Sequence, residues 1–135
     1  MLPGMRVDPR EIAAVFLGGM IGAVLRAQLF ESWTPAAGAW PWATFTVNIL
    51  GALLLGYFVA RMDRPLSGAG YVRPFLGPGF CGALTTFSTL QLELLHMIED
   101  GAYDLASAYA LASVSLGLLA VALSARLVRR AAAGR

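Results

Sequence analysis

The sequence predicts an all-helical integral membrane protein of four spans, and three observations lead there. Of 135 residues, 58% are hydrophobic and 13% charged, about half the roughly 25% charge of soluble domains. The apolar residues gather into four runs, each reaching the roughly 20 residues a helical span needs. The charges, ten arginines with no lysine and eight acids, fall mostly between the runs or at their ends. Four spans exhaust a chain of this length, so one domain is expected and no soluble catalytic domain fits beside it. An enzyme is therefore not expected. The net charge of +2 comes from scattered arginines that neither form a basic run nor alternate with aromatics on a polar face, which excludes nucleic acid. The single cysteine, Cys81, excludes an internal disulfide and any multi-cysteine metal site.

The spans are expected over residues 11–30, 40–60, 74–97 and 102–125. At about 1.5 Å rise per residue each covers roughly 30–36 Å, a bilayer core with some tilt. Arg6 and Arg10 precede the first run in the manner of a signal peptide, but the run has full spanning length and carries Arg26 before any good cleavage site. Its Gly18 and Gly22 form a small-xxx-small pair, most simply a close helix contact. The second run holds Thr44 and Asn48, one turn apart on one face. Trp33, Trp40, Trp42 and Tyr57 lie near run ends, where amphipathic rings suit the headgroup zone. A very short turn around residues 98–101 leads into the fourth run, where Tyr109, Ser113 and Gly117 recur every four residues as one polar, open stripe.

The third run is the anomaly. Pro74, Gly77, Pro78, Gly79 and Gly82 crowd its first nine residues, so a continuous helix is not expected there. A broken helix at membrane depth persists only where its freed backbone groups are buried in protein, line a water-filled cavity or bind an ion. The break therefore points to function. Residues 77–82 also match the glycine spacing of a dinucleotide fingerprint, but no strand precedes them, and a nucleotide site is set aside.

Polar residues inside the spans are the candidate site. Thr85, Thr86, Ser88 and Thr89 place four hydroxyls around Phe87 directly after the break. Hydroxyls donate to an anion without carrying charge, and an aromatic ring presents a positive edge. Isolated hydroxyls more often bond back to their own helix or glue helices together. Asn48 is either an interhelical hydrogen bond or an NH2 donor to a permeating anion. Arg26 either snorkels to the interface or supplies a fixed positive charge at a pore mouth. Glu93 is an interfacial carboxylate or an entrance residue, and His96 a lone histidine near the same edge. No acid lies deep in the first, second or fourth run, which disfavours a cation or proton pathway.

Arginines flanking the spans set orientation. Arg6 and Arg10 in the amino-terminal tail, Arg61, Arg64 and Arg73 in the middle connector, and Arg126, Arg129, Arg130 and Arg135 in the carboxyl tail all share one side of a four-span layout. By the positive-inside rule both termini face the cytoplasm.

Residues 18–26 of the first run, residues 43–51 of the second, residues 79–89 of the third (GFCGALTTFST) and the spacing of Tyr109 and Ser113 in the fourth form one set, and that set resembles the Fluc fluoride channels, also called the CrcB family. The resemblance covers nearly the whole chain. It implies an antiparallel dimer of four-helix subunits in a prokaryotic inner membrane, exporting fluoride passively through two pores at the subunit interface. It also implies a central structural sodium ion (Na+) on backbone carbonyls, which by position are those of Gly82 and Thr85. The family's anion-lining asparagine corresponds to Asn48, its first pore phenylalanine to Phe87, its hydroxyl track to Tyr109 and Ser113, and its first-span arginine to Arg26. Thr44, Ser88 and Thr89 join the fluoride pathway as further donors, and Glu93 matches an acidic entrance position. Membrane lipid and a like or unlike second subunit are the expected partners.

Two departures stand out. The family usually carries a second phenylalanine three residues after the first, and Leu90 occupies that position here. The charge bias of nine arginines to none also disagrees with a chain inserting in both directions. A one-way chain paired with an oppositely oriented homologue, conducting in part or not at all, is the alternative. A small multidrug exporter has similar size, but it needs a carboxylate deep in the first span, and here Glu11 and Glu31 lie only at its ends.

Overall fold

A computed structural model describes residues 8–33, 36, 38–62 and 70–134. The described chain is helical throughout, with no strand among the described residues. Arg6, Arg64 and Arg135 of the orientation count lie outside it.

Helix α1 (Pro9–Ser32) starts where Asp8 caps it, its side chain accepting from the Arg10 amide at 2.9 Å, with proline in the first position. That combination satisfies an orphan donor and presets φ for the first turn. Helix α2 (Trp42–Met62) follows. The third segment is assembled from pieces: α3 (Val72–Pro74), a π-helical stretch (Phe75–Cys81), α4 (Gly82–Leu84) and, after an interruption, α5 (Phe87–Glu99). Helix α6 (Tyr103–Ala133) closes the chain. It runs well past the expected end at residue 125. Arginines end the apolar run, but Ala, Arg and Leu are strong helix formers and carry the helix on. The turn before it is legible locally. Gly101 has φ +74, its amide reaches Ile98 O at 3.0 Å and the Ala102 amide reaches Met97 O at 2.8 Å, which is the Schellman arrangement.

Three uninterrupted helices, Pro9–Ser32, Trp42–Met62 and Tyr103–Ala133, are long and apolar enough to cross a membrane. The third segment supplies the remaining length in pieces. Its break is real but lies later than the glycines and prolines suggest. Residues 74–84 stay helical, and the interruption falls at Thr85 and Thr86, which are extended (ψ 155 and 119). Pro78 is accommodated by widening the turn to a π-helix, which relieves the clash between a proline ring and the carbonyl one turn back.

The helices associate in two pairs, α1 on the third segment and α2 on α6. The first pair needs glycine. A Cβ on Gly18 would strike the Phe75 carbonyl, and one on Gly22 the Phe80 carbonyl, so the expected small-xxx-small contact is made, with the π-helical stretch as its partner. In the second pair Ser124 Oγ donates to Leu53 O at 2.8 Å. A core of Leu90, Met97, Ala106 and Tyr109, flanked by Trp40, Phe45 and Leu94, fills one end of the bundle. Much of the remaining apolar surface is uncovered, including Phe16, Leu111 and Leu118, as expected of a protein whose solvent is lipid.

Candidate functional site

At the interruption the amide and carbonyl of Thr85 and of Thr86 each have a partner. The Thr85 amide reaches Cys81 O at 3.1 Å, and the Thr85 carbonyl accepts from Arg26 Nη1 on α1 at 3.2 Å. Asn48 on α2 serves both groups of Thr86: its Oδ1 accepts from the Thr86 amide at 2.8 Å and its Nδ2 donates to the Thr86 carbonyl at 3.0 Å. The two bonds fix the orientation of the amide, since a flipped Asn48 would set donor against donor. Asn48 thus makes the interhelical contact that was one of its two readings, with one Nδ2 hydrogen left over.

Thr86 also caps α5. Its Oγ1 accepts from the Thr89 amide at 3.2 Å, donates to Thr89 Oγ1 at 2.9 Å and lies 3.3 Å from Ser88 Oγ. Four hydroxyls in five residues are therefore partly explained by capping. Phe87, the first residue of α5, is 71% exposed on the subunit surface. Phe87, Asn48, Gly82, Thr85, Thr86 and Gly117 line one open cavity of about 650 Å3, largely apolar apart from these groups and Arg73.

A second polar cluster lies further along α5. Glu93 accepts from Thr44 Oγ1 at 2.5 Å and from Tyr109 Oη at 2.7 Å. Thr44 and Tyr109 are almost wholly buried. The Tyr109 ring meets Trp40 edge-on, centroids 5.2 Å apart, and Trp40 meets Phe45 likewise at 5.4 Å. A hydroxyl has one hydrogen to give, so in this arrangement Thr44 and Tyr109 spend theirs on Glu93. Beyond Glu93 a smaller cavity of about 360 Å3 is lined by His96, Glu99 and Asp100. Among the described residues, two buried side-chain polar atoms have no hydrogen-bond partner, Ser113 Oγ and Trp40 Nε1.

The candidates from sequence thus fall into two groups. Arg26, Asn48, Gly82, Thr85, Phe87, Ser88 and Thr89 gather at the break; Thr44, Glu93 and Tyr109 form the second cluster, with Ser113 one turn beyond Tyr109 on α6. Leu90 is not at the surface beside Phe87. It is 6% exposed and packs in the subunit core. Sequence reasoning missed Thr86 as the residue whose backbone Asn48 holds. A mid-span amide beside a broken helix was the available signal, because buried backbone groups must be paired. It also missed Gly51, where a Cβ would collide with Thr85 Cγ2.

The profile described as "CrcB-like protein, Camphor Resistance (CrcB)" matches residues 13–125. The chain is similar to a protein of Mycobacterium bovis named "Fluoride-specific ion channel FluC 1", 54% identical over 123 residues, or 91% of this chain and 93% of that one. It is similar to the "Fluoride-specific ion channel FluC" of Bacteroides fragilis, 41% identical over 83% of this chain and 91% of the relative. A Streptomyces coelicolor protein named "Fluoride-specific ion channel FluC 1" is 36% identical over 94% and 82% of the respective chains.

Proposed function

This chain belongs to the CrcB family, and from that membership we propose that it is a passive fluoride channel of a bacterial cytoplasmic membrane. The observation that carries the reading is the set of uncharged donors around the break: the spare Nδ2 hydrogen of Asn48, the Phe87 ring edge and the hydroxyls of Ser88 and Thr89. Fluoride is small and strongly hydrated, so conduction needs donors that replace water at close range and release the ion again. From there the path runs past Ser113, whose buried oxygen has no partner, and Tyr109. Glu93 already accepts hydrogen bonds from Tyr109 and Thr44, so a passing fluoride exchanges with a carboxylate oxygen for the same donors. That makes Glu93 the gatekeeping residue of the entrance.

The assembly proposed is an antiparallel dimer with a pore on each side. The open cavity carrying Asn48 and Phe87 supports it, since a second subunit would close it. Sodium belongs to the same proposal, and the residues fit it. The Thr86 amide, which an unbroken helix would aim at Gly82 O, goes to Asn48 instead, and Gly82 and Thr85 line the same cavity. Hard cations take such carbonyl oxygens. Two carbonyls per subunit make half a shell, which the second subunit would complete; the ion would hold the two breaks together.

Fluoride efflux from liposomes containing the chain tests the reading. Efflux selective for fluoride over chloride is expected, and chloride flux of similar size would overturn it. The arginine distribution favours a second reading, in which this chain inserts one way and works beside an unlike homologue. Efflux that appears only when an opposite-bias homologue is added would support the unlike pair. Full efflux from the chain alone, with termini on both membrane faces, would exclude it.

A further inference from the structure

The bond from Arg26 to the break has a consequence for the cation site. Thr85 O accepts from Arg26 Nη1 at 3.2 Å, and the same oxygen is one of the two proposed sodium ligands. Among the described residues Arg26 makes no ion pair, and the bond to Thr85 O is its one side-chain polar contact there. An Arg guanidinium is always protonated. Two cations sharing one carbonyl oxygen would lie on the order of 5 Å apart, where partial burial leaves strong repulsion. The bond is also at the long end of the hydrogen-bond range, and the break does not depend on it alone, because Asn48 holds Thr86 and the Thr85 amide is bonded to Cys81. The carbonyl can therefore exchange partners without the segment unfolding.

We propose that Arg26 and sodium compete for Thr85 O, so that sodium binding detaches the guanidinium and leaves an unpaired cation beside the break to attract an entering anion. This rests on the sodium reading above. Arg26 is then a positioning residue that lowers sodium affinity, and sodium controls where its charge points.

The test is a sodium titration of the full chain in its native assembly, in detergent, at constant ionic strength with N-methylglucamine as the replacing cation. Unfolding temperature and the guanidinium signals of protein labelled with 15N-arginine are followed together. Arg26→Gln should half-saturate at about tenfold lower sodium than the wild type, because the repulsion is gone, whereas Arg26→Lys, which keeps the charge, should stay within about threefold. In the wild type one guanidinium resonance should move with the same midpoint as the unfolding temperature, a readout that needs no variant to fold. Arg26→Gln with an equal or higher midpoint, or a sodium-dependent unfolding temperature with every guanidinium signal unmoved, overturns the competition and leaves the sodium site standing. If sodium stabilises neither wild type nor variant over N-methylglucamine, the sodium reading fails and the competition with it.

Discussion

The break and the Glu93 cluster use the same kind of residue in opposite ways. At the break, side chains from two other helices satisfy backbone groups: Arg26 takes the Thr85 carbonyl, and Asn48 takes both groups of Thr86. Around Glu93, side chains bond only to side chains. A backbone group freed inside a membrane costs several kcal/mol if abandoned. A hydroxyl bonded to a carboxylate can trade that oxygen for another anion at little cost. The Asn48–Thr86 pair is therefore built to stay and the Glu93 cluster to exchange.

The largest effect is expected at Asn48. Asn48→Leu strands the amide and carbonyl of Thr86, at about 1–3 kcal/mol for each buried group, and should lower the unfolding temperature in detergent far more than any change at Glu93. Asn48→Asp restores an acceptor for the Thr86 amide and should recover part of that loss. Equal stability of all three proteins would erase the distinction between the regions. Next comes Gly51→Val, which drives a branched side chain into Thr85 and should cost about 1–3 kcal/mol as overpacking, seen in the same melts.

Tyr109→Phe keeps the ring contact with Trp40 and removes one bond to Glu93. A loss of about 1.5–3 kcal/mol is expected, as for a hydrogen bond to a charged group, with fluoride efflux reduced, since a donor on the path is gone. Glu93→Gln keeps an acceptor, frees one hydroxyl and removes a negative charge, so stability should change by under about 1.5 kcal/mol while efflux is no lower than in the wild type. A collapse of efflux with the fold intact would make Glu93 part of the conducting path instead of its gate. Ser113→Ala should be smallest in stability, within about 0.5 kcal/mol, because its oxygen has no partner to lose. Its efflux should nonetheless fall, separating a conducting hydroxyl from a structural one.

Leu90 shows how local reasoning stops short. As a sequence position it reads as a missing ring in the pore wall, because it follows Phe87 at the expected spacing. The bundle turns it into the core with Met97 and Tyr109, while Phe87 stays exposed. The glycines and prolines of the third segment misled in a related way. They forecast where a helix is weak, but packing of Gly18 and Gly22 against the π-helical stretch holds that part together, and the chain opens one turn later.

Sequence alone determined what depends on neighbours along the chain. The four apolar runs, the short turn ending at Gly101 and the presence of a break in the third segment all follow from hydrophobic run length and local backbone chemistry. Tertiary structure decided what depends on residues far apart. Thr85 and Thr86 open because Arg26, 59 residues before the first, and Asn48, 38 before the second, are there to receive their backbone groups. Thr44 and Tyr109 meet on Glu93 only because α2 and α6 flank α5. A polar residue in a span announces that it needs a partner, but the packing of helices chooses which one, because pairing is a matter of distance in space and the sequence records only order.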